Sequence, residues 1–410
     1  MGRWIFLCLS GCSSPPGLHE VPRDGLRDGM PDKTPDDTPD DTPDEQAVVG
    51  PPIPFRTDWD VRPDGESISD AFLYREGIVH QLRLLVDDAG LDSLGDAPEI
   101  EVVAGLDVNG EPGTYPIALR LKGTSSFRTL ESKPAFKIDF HEWDPTARFH
   151  GIKRLTLNNM VQDPTMLHEH VYYWLCTELG IPAPRHAYAR VWLNGEELGL
   201  YGIVETMDEQ FVNRGWPDDD AGPLYEAVGG DFVDERREKF EVEEVGSGLL
   251  AIDALVTTVL ATPPDQFLAM LETHFDLDAL LTYWALDIVS SNPDGYVLNH
   301  NNYYVYGAPL AGKWTLIPSG VDRSFVPTPR QPVGALALGC LADPDCEALL
   351  DVRIEEVADT WDRLDVPAVV TALQSRIGPL CEADPRRERE CRGDELLDFI
   401  GHRTEEVRDR

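Results

Sequence analysis

The chain has 410 residues, 42% of them hydrophobic and 9% aromatic, and 74 Asp and Glu against 35 Lys and Arg give it a formal charge of −39. This size allows one large core or two lobes, and the charge argues against nucleic acid as a partner, because nucleic acid is bound by basic surfaces. An acidic chain that binds a polyphosphate must recruit cations, either metal ions or locally placed Lys and Arg.

The first twelve residues resemble the leader of a bacterial lipoprotein. Arg3 precedes a short apolar run that ends in Leu-Ser-Gly-Cys12. In this interpretation the run is removed and Cys12 becomes the lipidated first residue, so the protein reaches the membrane only through a lipid anchor. Ser13 favours the outer membrane if the host is Gram-negative. A plain signal peptide or a chance apolar start is the alternative.

Residues 13–50 are predicted to form a disordered, acidic tether. Between Pro31 and Glu45 the sequence repeats Thr-Pro-Asp-Asp, which has no apolar side chain to bury and whose charges repel one another. An acidic binding tail is the alternative to a simple spacer. The folded part is expected to begin near Pro51.

Residues 51–208 are predicted to be rich in strands. Short alternating or apolar runs are separated by turn residues, and Asn109-Gly110 and Asn194-Gly195 are typical of tight turns. The predicted strands are Val79–Leu85, Val102–Leu106, Tyr115–Leu121, Ala187–Leu193 and Leu198–Glu205.

A further strand pattern follows Lys133. Phe136, Ile138 and Phe140 alternate onto one face, which leaves Lys133 and Lys137 on the other. A lysine in that position can reach across a cleft to phosphate groups.

One helix is predicted within this strand-rich part. Asp163 would cap it, Pro164 would take its first position, and Gly180 would end it. Glu169 lies off the apolar stripe, so we expect it either to pair with the lysine strand or to face solvent. The stripe comprises Leu167, Val171, Trp174, Leu175 and Leu179.

From residue 209 onward the pattern becomes mostly helical. A strand-rich N-lobe with one helix, followed by a helical C-lobe, predicts an α+β, two-lobed fold of the protein-kinase kind. The predicted helices are Leu249–Leu260, Pro264–Leu271, Leu277–Ser290, Cys346–Thr360, Pro367–Ile377 and Asp394–Arg408.

The functional prediction depends on a loop within the C-lobe. Asp294 and Asn299 precede two strand-like runs, and Asp322 ends the second run. In protein kinases a catalytic-loop Asp accepts the proton of the substrate hydroxyl, an Asn five positions later holds a metal, and a later Asp binds Mg²⁺. The spacing here matches without the usual His-Arg prefix. An ordinary tight turn at Asp294-Gly295 is the alternative.

Four cysteines near the C-terminus predict two disulfides in an exported protein. Short loops favour Cys340–Cys346 and Cys381–Cys391, and the other two connectivities remain open. A zinc site is disfavoured because the tight Cys-x-x-Cys pairs are missing.

Seven short motifs lie in order between residues 121 and 302. They are Leu121-Lys-Gly-Thr-Ser-Ser126, Lys133-Pro-Ala-Phe-Lys137, Gly151-Ile-Lys-Arg-Leu-Thr-Leu-Asn-Asn159, Gly180-Ile-Pro-Ala-Pro184, Val191-Trp-Leu-Asn-Gly195, Gly199-Leu-Tyr-Gly-Ile-Val-Glu205 and Asn292–Asn302. Together they resemble the CotH kinase family, which is similar to spore-coat protein H, over about Ala71 to Phe325. The resemblance implies an atypical kinase-like fold that uses ATP and Mg²⁺ to phosphorylate serines of secreted or coat proteins.

The resemblance implies roles for the acidic loop. Asp294 would orient and deprotonate the acceptor hydroxyl. Asp322 would bind Mg²⁺, or Mn²⁺, between the phosphates, and Asn299, with Asn302 as a weaker candidate, would support a metal.

It also implies a nucleotide site. Gly123, Ser125 and Ser126 would form a loop facing the phosphates, although an ordinary hairpin turn has the same pattern. Glu205 to Met207 would link the lobes and offer backbone groups to adenine.

A lysine would complete this nucleotide site. Lys133 or Lys137 would contact the α- and β-phosphates and pair with Glu169, and the sequence does not distinguish the two lysines.

The expected function is transfer of the ATP γ-phosphate to Ser or Thr hydroxyls of exported or surface proteins. One departure favours an alternative, because Pro318 is followed by Ser319 where the family commonly has Trp. An inactive kinase-like lipoprotein that serves as a binding or structural scaffold is therefore a second prediction. A glycan-processing enzyme using Asp287 and Asp294 is a third, and it requires a defined separation of the two carboxylates.

Overall fold

The computed structural model describes residues 72–74, 77–112, 116–244, 248–328 and 331–409. The predicted lipidation site Cys12, the tether 13–50 and the start of the folded part near Pro51 lie outside the described residues. None of the helices described is both long enough and apolar enough to cross a membrane.

The described part of the chain contains both helices and strands. The strands are β1 (Val79–Leu85), β2 (Val102–Val108), β3 (Glu111–Pro112), β4 (Ile117–Lys122), β5 (Ala135–Asp139), β6 (Arg154–Asn158), β7 (His186–Leu193), β8 (Glu196–Glu205), β9 (Leu224–Ala227), β10 (Phe240–Glu244), β11 (Tyr303–Ala308) and β12 (Lys313–Pro318). The α-helices are α1 (Asp88–Asp96), α2 (His168–Glu178), α3 (Glu209–Gly215), α4 (Leu250–Ala261), α5 (Phe267–His274), α6 (Leu277–Val289), α7 (Tyr296–Asn299), α8 (Ala335–Ala342), α9 (Pro344–Arg363), α10 (Val366–Glu382) and α11 (Gly393–Arg408).

The N-terminal sheet closes into a barrel. Its strands follow the order β1-β7-β8-β6-β5-β4-β2, and β2 pairs back onto β1. Neighbouring strands are antiparallel except for β1 and β7, which are parallel. Asn109 and Asn194 both have positive φ at the predicted turns, and these two turns are confirmed.

Side-chain alternation explains what this barrel encloses and what it presents outward. Leu119 and Leu121 of β4 and Phe136 of β5 belong to the barrel core, because successive residues of a strand point to opposite faces. Lys122 and Lys137 therefore lie on the outer face, where both line a cleft.

Helix α2 packs on the outside of the barrel against β7, but it begins later than predicted. The Asp163 carboxylate accepts from the backbone N–H of Thr165 (2.7 Å) and of His168 (2.8 Å), and Met166 has a φ of +58°. These residues form a separate turn, so the helix starts at His168 rather than at Pro164. Gly180 has a φ of +72° and follows the helix end as predicted.

The two-lobed α+β fold is confirmed, with two corrections. The N-lobe contains a second helix, α1, and the C-lobe contains a sheet in the order β10-β9-β11-β12. Strand β9 has only four residues and β10 reads Phe-Glu-Val-Glu-Glu, so neither carries a strong apolar signal. The six predicted C-lobe helices are present, with shifted boundaries.

The two predicted disulfides are also confirmed. Cys340–Cys346 joins α8 to α9, and Cys381–Cys391 closes the loop between α10 and α11. The buried Cys176 is unpaired.

The loop closed by Cys381–Cys391 packs against the barrel. Asp384 accepts from Lys133 Nζ (2.6 Å) and from the backbone N–H of Leu200 (2.9 Å), and both charged side chains are almost fully buried. A Cβ atom on Gly199 would lie 2.1 Å from Asp384 Oδ1, so a glycine is required for this close approach.

Candidate active site

A cleft of about 470 Å³ lies between the outer face of the barrel and the C-lobe. Its barrel wall is formed by β4, β5, β6 and β8, and its opposite wall by α2, β9, β11 and the turn at Ser319 and Gly320. The cleft therefore brings together residues from both lobes.

Lys122 and Glu169 meet in this cleft. Lys122 is half-buried at the end of β4, whereas Glu169 of α2 is 4% exposed and accepts a hydrogen bond from Asn158 Nδ2 (2.8 Å). Burial raises the pKa of Glu169, and the charge of Lys122 opposes that rise. The predicted acidic partner on the helix is thus inside the site, and its lysine neighbour is Lys122.

The predicted catalytic Asp lies on the loop that precedes β11. Asp294 Oδ1 accepts from Asn299 Nδ2 (2.7 Å) and Asn301 Nδ2 (3.3 Å), and its Oδ2 lies 3.6 Å from a guanidinium nitrogen of Arg323. The Asp294 side chain remains 19% exposed. The two amides and the arginine therefore orient a carboxylate that solvent can still reach.

Asp322 lies where β12 leads back to this loop, and it is 8% exposed. Burial raises the pKa of its carboxyl well above the ordinary value. The neighbouring charges of Glu169, Asp163 and Asp294 raise this pKa further, whereas Lys122 lowers it. The structure thus brings Asp322 together with Glu169, Lys122 and Asp294.

This group of carboxylates suits a hard divalent cation. Glu169 and Asp322 are buried acids that act on one another, and oxygen donors are the ligands that Mg²⁺ prefers. Within the described residues, no three His, Cys, Asp or Glu side chains form a preformed metal site. Mg²⁺ in nucleotide sites is commonly held by one or two carboxylates together with substrate phosphates.

Comparison with known proteins identifies the family. The family model described as CotH kinase protein matches residues 119–406. The chain belongs to the CotH kinase family. Inner spore coat protein H of Bacillus subtilis (strain 168) is 26% identical over 237 residues, which cover 55% of this chain and 62% of that protein.

Two fungal relatives in Rhizopus delemar are named as invasins. Invasin CotH2 is 24% identical over 266 residues, covering 56% of this chain and 44% of that protein, and Invasin CotH3 is 24% identical over 217 residues, covering 49% and 34%. This chain covers less than two thirds of each of these relatives. Relatives named for a spore coat and for invasion, together with two disulfides, fit an exported protein.

The glycine loop of this CotH-family chain reaches the cleft through Gly123 and Thr124. Gly123 has a φ of +114°, and a Cβ there would lie 2.9 Å from the backbone nitrogen of Phe127, so a larger residue is excluded. Ser125 Oγ instead accepts from Gln162, and the Ser126 carbonyl accepts from Asn159. The two serine side chains predicted to face phosphates do not line the cleft.

The segment predicted to link the lobes does border the cleft. Glu205 and Met207 both line it, and the Glu205 carboxylate is held by Arg185 and Arg214, each at 2.7 Å. Two arginines occupy this carboxylate, whereas Thr206 and Met207 of the segment also line the cleft. The adenine contact stays a prediction.

The phosphate-binding assignment of Lys133 needs correction. Its side chain is fully buried and paired with Asp384, and it does not line the cleft, whereas Lys137 does. Lys133 precedes β5 and is followed by Pro134, so it does not follow the alternation of the strand. Alternation along β4 and β5 therefore places Lys122 and Lys137 on the same outer face, and it does not apply to Lys133.

Two asparagines predicted to support a metal make other contacts in this CotH-family loop. Asn299 donates to Asp294, and Asn302 Nδ2 donates to the carbonyl of Gly320 (3.1 Å). Both therefore position the loop, and their metal role stays a prediction. At the departure from the family pattern, the Ser319 N–H donates to the carbonyl of Asn302 (3.0 Å) and Ser319 lines the cleft.

Asp287 lies beneath the loop rather than in the cleft. It is fully buried, accepts from Tyr172 O–H (2.6 Å) and Asn292 Nδ2 (2.8 Å), and burial raises its pKa to about 7. A Cβ on Gly295 would lie 2.6 Å from Asp287 Oδ2, so the loop packs directly on this carboxylate. Asp287 is a structural anchor, which argues against a glycosidase pair with Asp294.

Sequence reasoning missed Lys122, Asn158 and Arg323 as site residues. The alternation of β4 could have identified Lys122, because its outward face is the same as that of Lys137. Asn158 and Arg323 have no comparable local signal. Their positions depend on contacts with Glu169 and Asp294, which lie elsewhere in the fold.

Proposed function

We propose that this CotH-family protein is an atypical protein kinase. It transfers the γ-phosphoryl group of ATP to Ser or Thr hydroxyls of exported or surface proteins, with Mg²⁺ or Mn²⁺ as the metal. The observation that carries the proposal is that Lys122 and Glu169 line one cleft, and that Asp322 lies close enough for its charge and theirs to act on one another.

Each charged group has a role in binding ATP. Asp322 would hold the metal, which when bound neutralises charge on the phosphates. Lys122 contacts phosphate oxygens, and Glu169, itself fixed by Asn158, orients the lysine. Lys137 lies on the same outer face and adds positive charge to the cleft.

Asp294 acts on the acceptor. Its carboxylate would orient the incoming hydroxyl and accept its proton as the hydroxyl oxygen bonds to the γ-phosphorus and the bond from that phosphorus to the ADP oxygen breaks. The amides of Asn299 and Asn301 occupy Oδ1, so the carboxylate is already oriented before an acceptor arrives.

The protein is proposed to act in the bacterial cell envelope. Two disulfides and relatives named for a spore coat and for invasion support that location, and lipidation of Cys12 would attach the protein to a membrane, the outer one in a Gram-negative host. Its partners are then a nucleotide and an exported or surface protein, with the donor nucleotide supplied outside the cytoplasm or before export.

The test is transfer of labelled γ-phosphate from ATP with Mg²⁺ or Mn²⁺, comparing the full chain with its Asp294→Ala variant. We expect labelling of the protein itself or of a generic acidic protein by the wild type, its loss in the variant, and retained stabilisation by ATP and Mg²⁺ in both. No labelling and no stabilisation by nucleotide in a folded wild-type sample would replace the kinase by the inactive scaffold.

A further inference from the structure

A second cavity shares no lining residue with the cleft proposed to bind ATP, which we call the ATP cleft, and it borders the Asp294 loop at Pro293. It measures about 440 Å³, and its first wall is formed by Pro293, Asp322 and Arg323. Arg389, Arg392 and the first turn of α11 form the opposite wall. Asp322 and the neighbours of Asp294 therefore border it, so a ligand held here lies beside the reacting groups.

Three arginines line this cavity against two carboxylates, Asp322 and Glu395, although the chain as a whole is strongly acidic. Arg323, Arg389 and Arg392 line it, and all three side chains are exposed. Among the described residues, Arg389 forms no hydrogen bond or ion pair through its side chain, while Arg392 pairs with Glu395 at 2.9 Å. The ATP cleft, by contrast, is lined by more carboxylates than cationic groups. We call the residues Arg323, Arg389 and Arg392 the arginine pocket.

The chain holds two of these arginines firmly. Cys391 is bonded to Cys381, so Arg389 lies inside a closed loop whose Glu388 pairs with Arg128 of the barrel. The backbone N–H of Arg392 donates to the carbonyl of Pro164 (3.1 Å). Arginines on a fixed backbone bind anions with less loss of conformational freedom.

Arg323 connects the pocket to the catalytic carboxylate. Its guanidinium lies 3.6 Å from Asp294, and the same side chain lines the cavity. An anion that pairs with Arg323 competes with Asp294 for this guanidinium. Binding in the pocket is therefore linked to release of the carboxylate that accepts the proton.

We propose that the arginine pocket binds an anionic side chain of the acceptor polypeptide, either a carboxylate or a phosphorylated hydroxyl, and so brings a neighbouring Ser or Thr to Asp294. This inference rests on the proposed kinase function and specifies its substrate class. Carboxylates and phosphates both match the fork of an arginine, and a phosphate carries the larger charge.

The test uses four peptides that share one acceptor Ser and differ only in flanking residues, which are Ala, Glu, phosphoserine or Lys. We expect kcat/KM for the Glu and phosphoserine peptides to exceed that of the Ala peptide by about tenfold at low salt, because each exposed charge pair contributes only a few-fold. The preference should shrink as ionic strength rises. A gain for only one of the two anionic peptides identifies the source of the anion.

A charge-reversed variant should change which peptide is preferred, and this change is distinguishable from a general loss of activity. The Arg389→Glu, Arg392→Glu variant should lose the preference for anionic flanks and gain for the Lys peptide. The matched control is Arg363→Glu, which changes an exposed arginine that does not line the pocket and should keep the wild-type order of peptides.

Direct binding separates this inference from the proposed function. Peptide binding is measured by fluorescence anisotropy in the presence of a non-hydrolysable ATP analogue. If phosphate transfer does not depend on the charge of the flanking residues, the proposed role of the arginine pocket is wrong and the proposed kinase activity is kept. Anionic peptides that bind, and lose binding on charge reversal, without any transfer would support the pocket and overturn the kinase.

Discussion

The two sides of the barrel each contain a buried or half-buried lysine, and the two environments differ. Lys122 borders a cleft, where burial lowers its pKa and the charges of Glu169 and Asp322 oppose that change. Lys133 forms an ion pair with Asp384 that is excluded from water, and its Nζ lies 5.2 Å from the centroid of the Tyr201 ring. A lysine that lines a cleft near several carboxylates indicates a binding site. A lysine that is fully buried in an ion pair stabilises the fold.

The largest expected effect is on stability at the enclosed pair. Lys133→Met should lower the free energy of unfolding by about 3–5 kcal/mol, because it leaves the buried Asp384 carboxylate without its cation. Denaturant unfolding measures the loss, and stabilisation by ATP and Mg²⁺ should persist in the folded variant. An unchanged unfolding midpoint would mean that this lysine is not structural.

Lys122→Met should act on chemistry. Phosphate transfer is expected to fall by about 10²–10³-fold, the usual consequence of removing one charge from a transition state. The free energy of unfolding should not fall, because the half-buried Lys122 ammonium is not part of a fully buried ion pair. Lys239→Met, at an exposed lysine, is the control. The comparison breaks if Lys122→Met unfolds the protein or if Lys133→Met abolishes transfer in a folded sample.

A double variant tests whether Lys133 and Asp384 act as one unit. Asp384→Asn retains an acceptor for the Leu200 N–H, which now donates to the carboxylate at 2.9 Å. Adding it to Lys133→Met should recover about 0.5–3 kcal/mol relative to the sum of the single changes, as expected for residues in contact. Additive losses would show that the pair contributes no coupling.

Asp287 extends the comparison to a buried acid held by neutral groups. Its pKa is raised to about 7 by burial, above the ordinary value of 3.8, so the folded state holds a proton that the unfolded state has released. Its contribution to stability is fully present below pH 3.8 and is lost as pH rises through 7. Relative to Asp287→Asn, the wild type should lose about 2 kcal/mol between pH 5 and pH 7. Denaturant unfolding of both proteins across this range measures the difference, and parallel curves would contradict the buried acid.

Local patterns predicted what depends on neighbours in sequence. Turns at Asn109-Gly110 and Asn194-Gly195, the inward face of β5 and both disulfides follow from spacing or short loops, and the structure has them. The same holds for the Asp294 loop, which reaches the same site as Asp322 because β11 and β12 form the antiparallel pair between them.

Long-range partners explain most of what the sequence did not reveal. Lys133 carries no local mark of its pairing, since Asp384 lies 251 positions away. The start of α2 was displaced because the Asp163 cap serves a separate turn. Of the C-lobe sheet, the two strand-like runs after Asn299 were predicted, whereas β9 and β10 were missed because they are short or highly charged. In each case the structure depends on a contact or a backbone conformation that the local sequence pattern does not indicate.

The parallel pairing of β1 with β7 has a consequence for how the chain folds. Val79 lies opposite Tyr188, so β1 obtains this neighbour only after more than a hundred intervening residues have been organised. Contacts between such distant segments form slowly, because the chain loses conformational entropy on closing the loop before the strand hydrogen bonds stabilise it. Until then one edge of β1 offers unpaired backbone groups to other chains. Slow barrel closure makes folding intermediates of this protein the state most exposed to aggregation.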